Sequence, residues 1–396
     1  MDPHGDSLGP ATRLVHLGEE TTIEGAVVPP IFQNSTFVFD TVQELFGAIA
    51  DVPAGPPFSY SKSGNPSLNL AERKIADLEG VDACKLVGGG MAALSLTILA
   101  HTAAGAHVVL PDTAYFPVRA LLDGLLARFG VTHTLVDGRN KEDFLDAIRP
   151  ETTLVYLEAP SSIMMRMQDV EAVTAEARGK GIATMFDNTY NTPLHFNPAR
   201  HGVDVVCHSV TKYMGGHSDL MAGAICTDAA RMDRFVRTEL NAFGAAAPFV
   251  AWLVTRGLRT LTLRMKRHEA TANALAAWLE TRPEVARVHH VGLPSYPQKN
   301  LVDRLLKGTG GLFSLELADP SLATAQCFAN ALKLFGRGVS WGGHESLVVA
   351  MSVKTIDAPE GRAVVRLYCG LEEPDDLRRD LERALAISKT GPTITD

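Results

Sequence analysis

Three observations predict an α/β fold with a mostly parallel sheet, followed by a smaller α+β domain. Between Leu68 and Ser209, short apolar segments alternate with amphipathic helical patterns, the rhythm of a parallel sheet covered on both faces. Asp112, Glu158, Asp187 and Ser209 each stand just past one of those apolar segments. Ligands in such sheets bind beyond the carboxyl ends of the strands, so these four residues are expected to face one crevice. After Gly257 the rhythm gives way to one long helix and more widely spaced strands, as a second unit would.

Taken in order, the first sixty residues are rich in Pro, Gly, Asn and Ser, as in "GAVVPPIFQNSTFVFD" and "DVPAGPPFSYSKSGNPS". An arm over 1–60 has too little core to stand alone and is expected to lie across a neighbouring subunit. "LNLAERKIADLEG" then repeats apolar residues at helical spacing and stops at Gly80. Helix "MAALSLTILAHTAAG", strand "HVVLPD", helix "FPVRALLDGLLARFG", strand "VTHTLVD" and helix "KEDFLDAIRP" follow. Strand "TTLVYLEAP", helix "DVEAVTAEARGKG" and strands "IATMFDNT" and "VDVVCHS" complete a domain placed at 61–256. Over 257–396, "LRTLTLRMKRHEATANALAAWLETRP" reads as a single long helix. Strands are expected at "ARVHHV", "GLFSLELA" and "AVVRLYCG", and helices at "ATAQCFANALKLF" and "DDLRRDLERALAI".

Composition narrows the function. With 396 residues, 46% hydrophobic and 21% charged, the chain is an ordinary globular one with room for more than one core. A net charge of −8 argues against nucleic acid and anionic membrane surfaces as partners. No apolar run approaches the roughly 20 residues of a membrane span, and the N-terminus lacks the pattern of a secretory signal. The five cysteines are scattered and without CxxC spacing, which suggests free thiols in a reducing compartment and no zinc site. A cytoplasmic protein is expected.

The stretch "DVVCHSVTKYMGGHSD" carries the chemistry. A loop lysine is ordinarily just solvated. Lys212, however, sits beside Ser209 and Thr211 at the end of a buried strand, where an amine can form a Schiff base with an aldehyde cofactor and the hydroxyls can hold its phosphate. A pyridoxal cofactor also needs an anion for its ring nitrogen, which Asp187 in "MFDNTY" offers; the bland reading of that Asp-Asn-Thr is an Asx-turn. Tyr115 offers a stacking ring, or is a core tyrosine. Gly88, Gly89 and Gly90 open a helix whose free N–H groups suit a phosphate. The same glycines fit the dinucleotide fingerprint, with Asp112 at the end of the next strand, so a nicotinamide-dependent oxidoreductase is a rival. It gives Lys212 no role. His208 and His217 flank the lysine without a partner set of metal-ligand spacing, and no metal is expected.

With these pieces in place, the chain resembles the Cys/Met-metabolism family of pyridoxal phosphate enzymes, from about Thr12 to Leu385. "TRLVHLG", "YSKSGNPS", "GMAAL", "VYLEAPSS", "DNTYNTP", "HSVTKYMGGHSD", "RGLRTLTLRM", "SWGGHESL" and "RLYCGLEEPDDL" carry the resemblance in order. "TAYFP", "SSIMMRMQDV" and "GLFSLEL" make it most similar to the bacterial β-lyase branch. The resemblance implies a fold of the aspartate-aminotransferase type (fold type I), pyridoxal 5′-phosphate as cofactor, a small amino-acid substrate from trans-sulfuration or methionine biosynthesis, and a homotetramer of dimers that share active sites. It implies Lys212 as the Schiff-base lysine and proton shuttle, with Tyr115 and Tyr60 among the catalytic groups. Asp187 would pair with the pyridine nitrogen and Tyr115 stack on the ring, while Gly90, Met91, Ser209 and Thr211 would bind the phosphate. Tyr60 and Lys62 would reach the cofactor phosphate of the neighbouring subunit. Ser340 and Arg366 would fix the substrate's α-carboxylate, with Tyr60 and Trp341 also at the substrate.

Five positions depart from the family's usual pattern. Lys62 replaces an arginine and loses its bidentate fork. Gly89 replaces a serine, and Ser162 an asparagine frequent in γ-acting members. Val339 stands where many γ-acting enzymes carry a glutamate, and Trp341 follows the β-lyase pattern. Together they favour β-elimination from cystathionine or a related amino acid. The alternative is γ-elimination or γ-replacement on the same scaffold. The nicotinamide oxidoreductase and a catalytically silent binding protein come after these.

Overall fold

The structure, a computed structural model, describes residues 8–20, 22–50, 56–243 and 245–388. Its larger sheet has seven strands: β1 (Ala83–Val87), β2 (His107–Pro111), β3 (Thr132–Val136), β4 (Thr152–Leu157), β5 (Ala183–Asp187), β6 (Val205–Ser209) and β7 (Gly223–Thr227). Their order is β1-β7-β6-β5-β4-β2-β3, and only β7 runs against its neighbours. The continuous apolar runs are explained by cover on both faces; all five residues of β2 are buried. The chain leaves β2 toward β3 on one side and returns with β4 on the other. At that switch point a crevice opens beyond the strand ends.

Local rules account for the helix limits. Over Pro66–Glu79, Asn65 caps the start by accepting from Ser67 N at 2.9 Å, Pro66 fills the first turn, and Gly80 closes the end at φ 73°. The helix expected from "FPVRALLDGLLARFG" is instead Phe116–Asp123 followed by a 3₁₀ turn, Leu126–Phe129, because Gly124 ends the first segment. The long C-terminal helix begins only at Leu261 and runs to Glu280; a separate helix, Pro248–Leu258, packs against Pro66–Glu79. β1 and β7 lie outside the sequence reading. β1 is only five residues long, and Lys85 interrupts its apolar run to reach Glu72 at 3.0 Å.

The second sheet has five strands in the order β10-β11-β12-β9-β8: β8 (Val285–His289), β9 (Leu312–Leu317), β10 (Gly336–Arg337), β11 (Leu347–Thr355) and β12 (Ala358–Tyr368). β11 was not expected; it is half-exposed along most of its length, so no apolar signal marks it. Helices Leu322–Ala331 and Pro374–Ser388 pack together here, the first directly on β11 and β12. No helix among the described residues is long and apolar enough to cross a membrane.

Of the arm expected over 1–60, residues 1–7, 21 and 51–55 lie outside the described residues. The rest is tied down by charge, with Arg13 on Asp77 at 3.0 Å and a cluster around Lys74. Lys74, fully buried, donates to Leu14 O at 2.7 Å and pairs with Glu19, which Arg259 also holds at 2.6 Å. Val27, Val38 and Phe46 remain exposed on it. A second charge cluster joins the two sheets: Arg166 bridges Asp112 and Asp137, each at 3.1 Å, and Asp357 at 2.5 Å.

Candidate active site

A cavity of about 410 Å³ lies at the switch point, with Lys212, Asp187, Tyr115, Gly90 and Trp341 among its walls. Lys212 follows β6, and its Nζ donates to Ser340 Oγ and stands 5.6 Å from the centre of the Trp341 ring. Burial, then the charge of Arg366, lowers the amine to about 8, with Asp187 opposing. One glycine-dependent approach and one left-handed serine hold this corner. Gly342, at φ 91°, lies so close to Lys212 that a Cβ there would sit 2.8 Å from its Cα. Ser340 itself adopts a positive φ of 76°.

Asp187 ends β5. Its Oδ1 accepts from Thr189 N at 3.0 Å and from the Thr189 hydroxyl, while Oδ2 has no donor among the described residues. The Asx-turn and a free acceptor oxygen thus coexist in one side chain. Burial raises this carboxyl, and Thr189, His208 and Lys212 pull against it. Thr189 was missed from the sequence. Its hydroxyl also accepts from Ser209 N at 2.7 Å, so one threonine locks two neighbouring strand ends.

Helix Gly90–His101 points its N-terminus at the same cavity. A Cβ on Gly90 would lie 2.6 Å from Ser209 Cβ, so glycine alone allows the helix start to meet the strand end. Ser209 Oγ has no hydrogen-bond partner among the described residues. The Thr211 hydroxyl donates to Ala222 O at 3.2 Å and accepts from Ala222 N at 3.0 Å, which engages it with the backbone. Met91 lines the cavity beside Gly90.

Tyr115 is 38% exposed, and its backbone N donates to Glu158 Oε2 at 2.7 Å. Glu158 also accepts from Tyr156 OH at 2.9 Å and from Ser162 N at 2.6 Å. Burial, then the neighbouring Asp187, pushes this carboxyl well above the usual range. The sequence placed Glu158 in the crevice but gave it no task.

Arg366 reaches the site from β12. Its Nη2 donates to Ser340 O at 2.9 Å, while its buried Nε has no acceptor. Burial lowers the guanidinium to about 10.

Some residues expected at the site are not brought there within one chain. Tyr60, 49% exposed, forms an isolated antiparallel bridge with Thr36, and Lys62 borders a different, smaller cavity. Val339 is 82% exposed and is not among the residues lining the Lys212 cavity. Asp112 gives Oδ1 to Arg166 and accepts from Ile356 N at Oδ2, which takes it away from the glycine turn and leaves the dinucleotide reading without its carboxylate. His208 pairs with buried Glu79 at 2.8 Å and His217 with Gly215 O.

These features fit pyridoxal phosphate. The narrow Gly90–Ser209 junction with a free hydroxyl suits a phosphate, the unpartnered Asp187 Oδ2 a protonated ring nitrogen, and the softened Lys212 amine an aldehyde.

Comparison with known proteins agrees. A family model described as Cys/Met metabolism PLP-dependent enzyme matches residues 11–386. The chain is 38% identical over 399 residues to a Pseudomonas putida protein named L-methionine gamma-lyase, spanning 97% of this chain and 100% of that one. It is 34% identical over 387 residues to a Lactococcus lactis subsp. cremoris protein named cystathionine beta-lyase, spanning 94% of this chain and 98% of that one. The crystal structure of metB from Corynebacterium glutamicum superposes with a TM-score of 0.89 at 31% identity, over 96% of this chain and 98% of that chain.

Proposed function

The chain belongs to the Cys/Met metabolism PLP-dependent enzyme family, and from that premise we propose that it is a carbon–sulfur lyase acting on L-cystathionine or a related amino acid. The observation that carries the proposal is the Lys212 amine, lowered to about 8 between Arg366 and Asp187. Gly90, Met91, Ser209 and Thr211 would hold the cofactor's phosphate, Asp187 its ring nitrogen, Tyr115 its ring face and Lys212 its aldehyde carbon. When bound, the pyridine ring accepts the electron pair released at the substrate's α-carbon.

The remaining work falls to this chain's side chains. Arg366, steered by Ser340 O, offers its fork to the substrate's α-carboxylate. Lys212 Nζ, once free, takes the α-proton and then passes a proton to the departing sulfur. Ser340 Oγ, hydrogen-bonded to Nζ, limits where that amine swings. Overall, cystathionine and water yield homocysteine, pyruvate and ammonia as the Cβ–S bond breaks.

A second reading, γ-elimination, is favoured by the likeness to an enzyme named for it and by Val339 lying outside the cavity. The homotetramer and the part of Tyr60 and Lys62 in a neighbour's site belong to the same proposal. Exposed Val27, Val38 and Phe46 on the arm, and a site lacking both residues within one chain, support it. Free cysteines support a cytoplasmic location. A division into 1–60, 61–256 and 257–396 is likewise proposed.

Incubating the cofactor-loaded protein with L-cystathionine and identifying the keto acid tests the reaction. Pyruvate with homocysteine is expected. Production of 2-oxobutyrate with cysteine would establish the γ reading, and full turnover by Lys212→Ala would overturn both.

A further inference from the structure

Behind the strand ends that face the Lys212 cavity lies a layer of polar side chains that does not line it: Glu79, Asn188, Asn191 and His208, each at most 1% exposed. Burying such groups costs free energy unless their hydrogen bonds are met. Glu79 is the most costly of them. It is the last residue of the helix Pro66–Glu79, where the helix dipole disfavours an anion, and burial raises its carboxyl, with His208 opposing. A residue that breaks two local rules at once is expected where function requires it.

The connections run to three strand ends. Glu79 Oε2 lies 2.8 Å from His208 Nε2 and accepts from Asn188 Nδ2 at 3.3 Å. His208 stands immediately before Ser209 on β6, and Asn188 immediately after Asp187 on β5. Asn188 N also donates to Cys207 O at 2.9 Å, closing one strand on the other. Asn188 Oδ1 in turn accepts from Asn191 Nδ2 at 3.1 Å, and the same Nδ2 donates at 2.9 Å to the carbonyl of Ala159, the residue after Glu158. Each contact therefore falls one residue from a group that lines the cavity: Glu158, Asp187 or Ser209. From the cavity side Thr189 already joins Asp187 to Ser209 N. Glu79 joins the same two strand ends from behind, so they are clamped from both sides.

We propose that Glu79 is a positioning residue for the cofactor cradle: through Asn188 and His208 it holds Asp187 and Ser209 at the spacing that the ring nitrogen and phosphate of one molecule require. Glu79 itself touches neither cofactor nor substrate. The proposal rests on the reading of Asp187 and Ser209 as cofactor contacts, and it adds that their separation is set by a carboxylate on a helix outside the cavity.

Two variants separate acceptor from volume. Glu79→Gln keeps an oxygen that can accept from both partners, whereas Glu79→Met fills similar space without one. The cofactor-loaded enzyme and each variant are dialysed to equilibrium against graded pyridoxal phosphate, and the bound cofactor is read by its visible absorbance. Urea unfolding of the same preparations runs beside it. Glu79→Met is expected to raise the dissociation constant about tenfold or more, and Glu79→Gln less than about threefold. A Glu79→Met enzyme that unfolds earlier but keeps the original dissociation constant would overturn the proposal, since that is the mark of a merely structural residue. Equal weakening by both variants would also overturn it, because charge and not the acceptor would then be at work. If Glu79→Met does not fold, Asn188→Ala gives the same test from β5: weakening of about fivefold or more is expected, and an unchanged constant would overturn the proposal. An unaltered protein that retains no pyridoxal phosphate would instead overturn the cofactor reading itself.

Discussion

Two physical causes lower the Lys212 amine, burial and the charge of Arg366. In the cofactor-free protein, only the neutral amine can attack an aldehyde. The rate at which added pyridoxal phosphate turns the protein yellow should therefore climb about tenfold per pH unit below 8 and level off above it. Arg366→Ala should move that midpoint upward, because the repelling charge is gone; a midpoint that stays put would assign the shift to burial alone. Glu158 makes a different prediction. Glu158→Gln turns one of its oxygens into a donor facing Tyr115 N or Ser162 N, leaving a buried N–H unmatched. We expect KM to rise, with a loss of about 1–3 kcal/mol in urea unfolding, measured by steady-state kinetics beside a denaturation curve. Lys212, Asp187 and Tyr115 were legible because a polar residue at the end of an apolar run stands out. The task of Glu158 was not, since it depends on the backbone N–H of a residue 43 positions earlier.

At the scale of elements, the site depends on surfaces that only glycine allows to touch. A Cβ on Gly223 would lie 2.1 Å from Gly89 O, and one on Gly90 would meet Ser209. Gly223→Ala should force β7 away from the glycine turn, costing about 1–3 kcal/mol in urea unfolding and weakening cofactor retention on dialysis. Retention equal to that of the unaltered protein would show that the turn adapts freely. The glycine run itself was visible in the sequence; its partner on β7 was not. β7 is a five-residue strand running against its neighbours, with Gly223 at its first position, and neither period nor length separates it from a loop. The alternating strands and helices of the parallel part were legible throughout, because their apolar runs span both covered faces. The break at Gly124 was not, since apolar spacing continues across it.

For the whole molecule, the two sheets are joined by the charges around Arg166, which is nearly as buried as its partner Asp112. Arg166→Ala would strand that carboxylate without a counter-charge. A loss of about 3–5 kcal/mol in urea unfolding is expected, and Arg166→Lys should recover only part of it because it lacks the fork. The second sheet was foreshadowed by the change of rhythm after Gly257, whereas this junction joins residues from 112 to 357 that no local pattern relates. The sheet order has a consequence for how the protein is made. β1 pairs only with β7, whose first residue, Gly223, leaves the ribosome long after Val87. At ordinary translation rates that interval is roughly seven to twenty-seven seconds, during which β1 has no neighbour and the glycine turn that follows it has nothing to rest on. A nascent chain in that interval holds the phosphate-cradling residues in sequence but not in space, so loading with the vitamin-derived group waits at least until β7 has emerged.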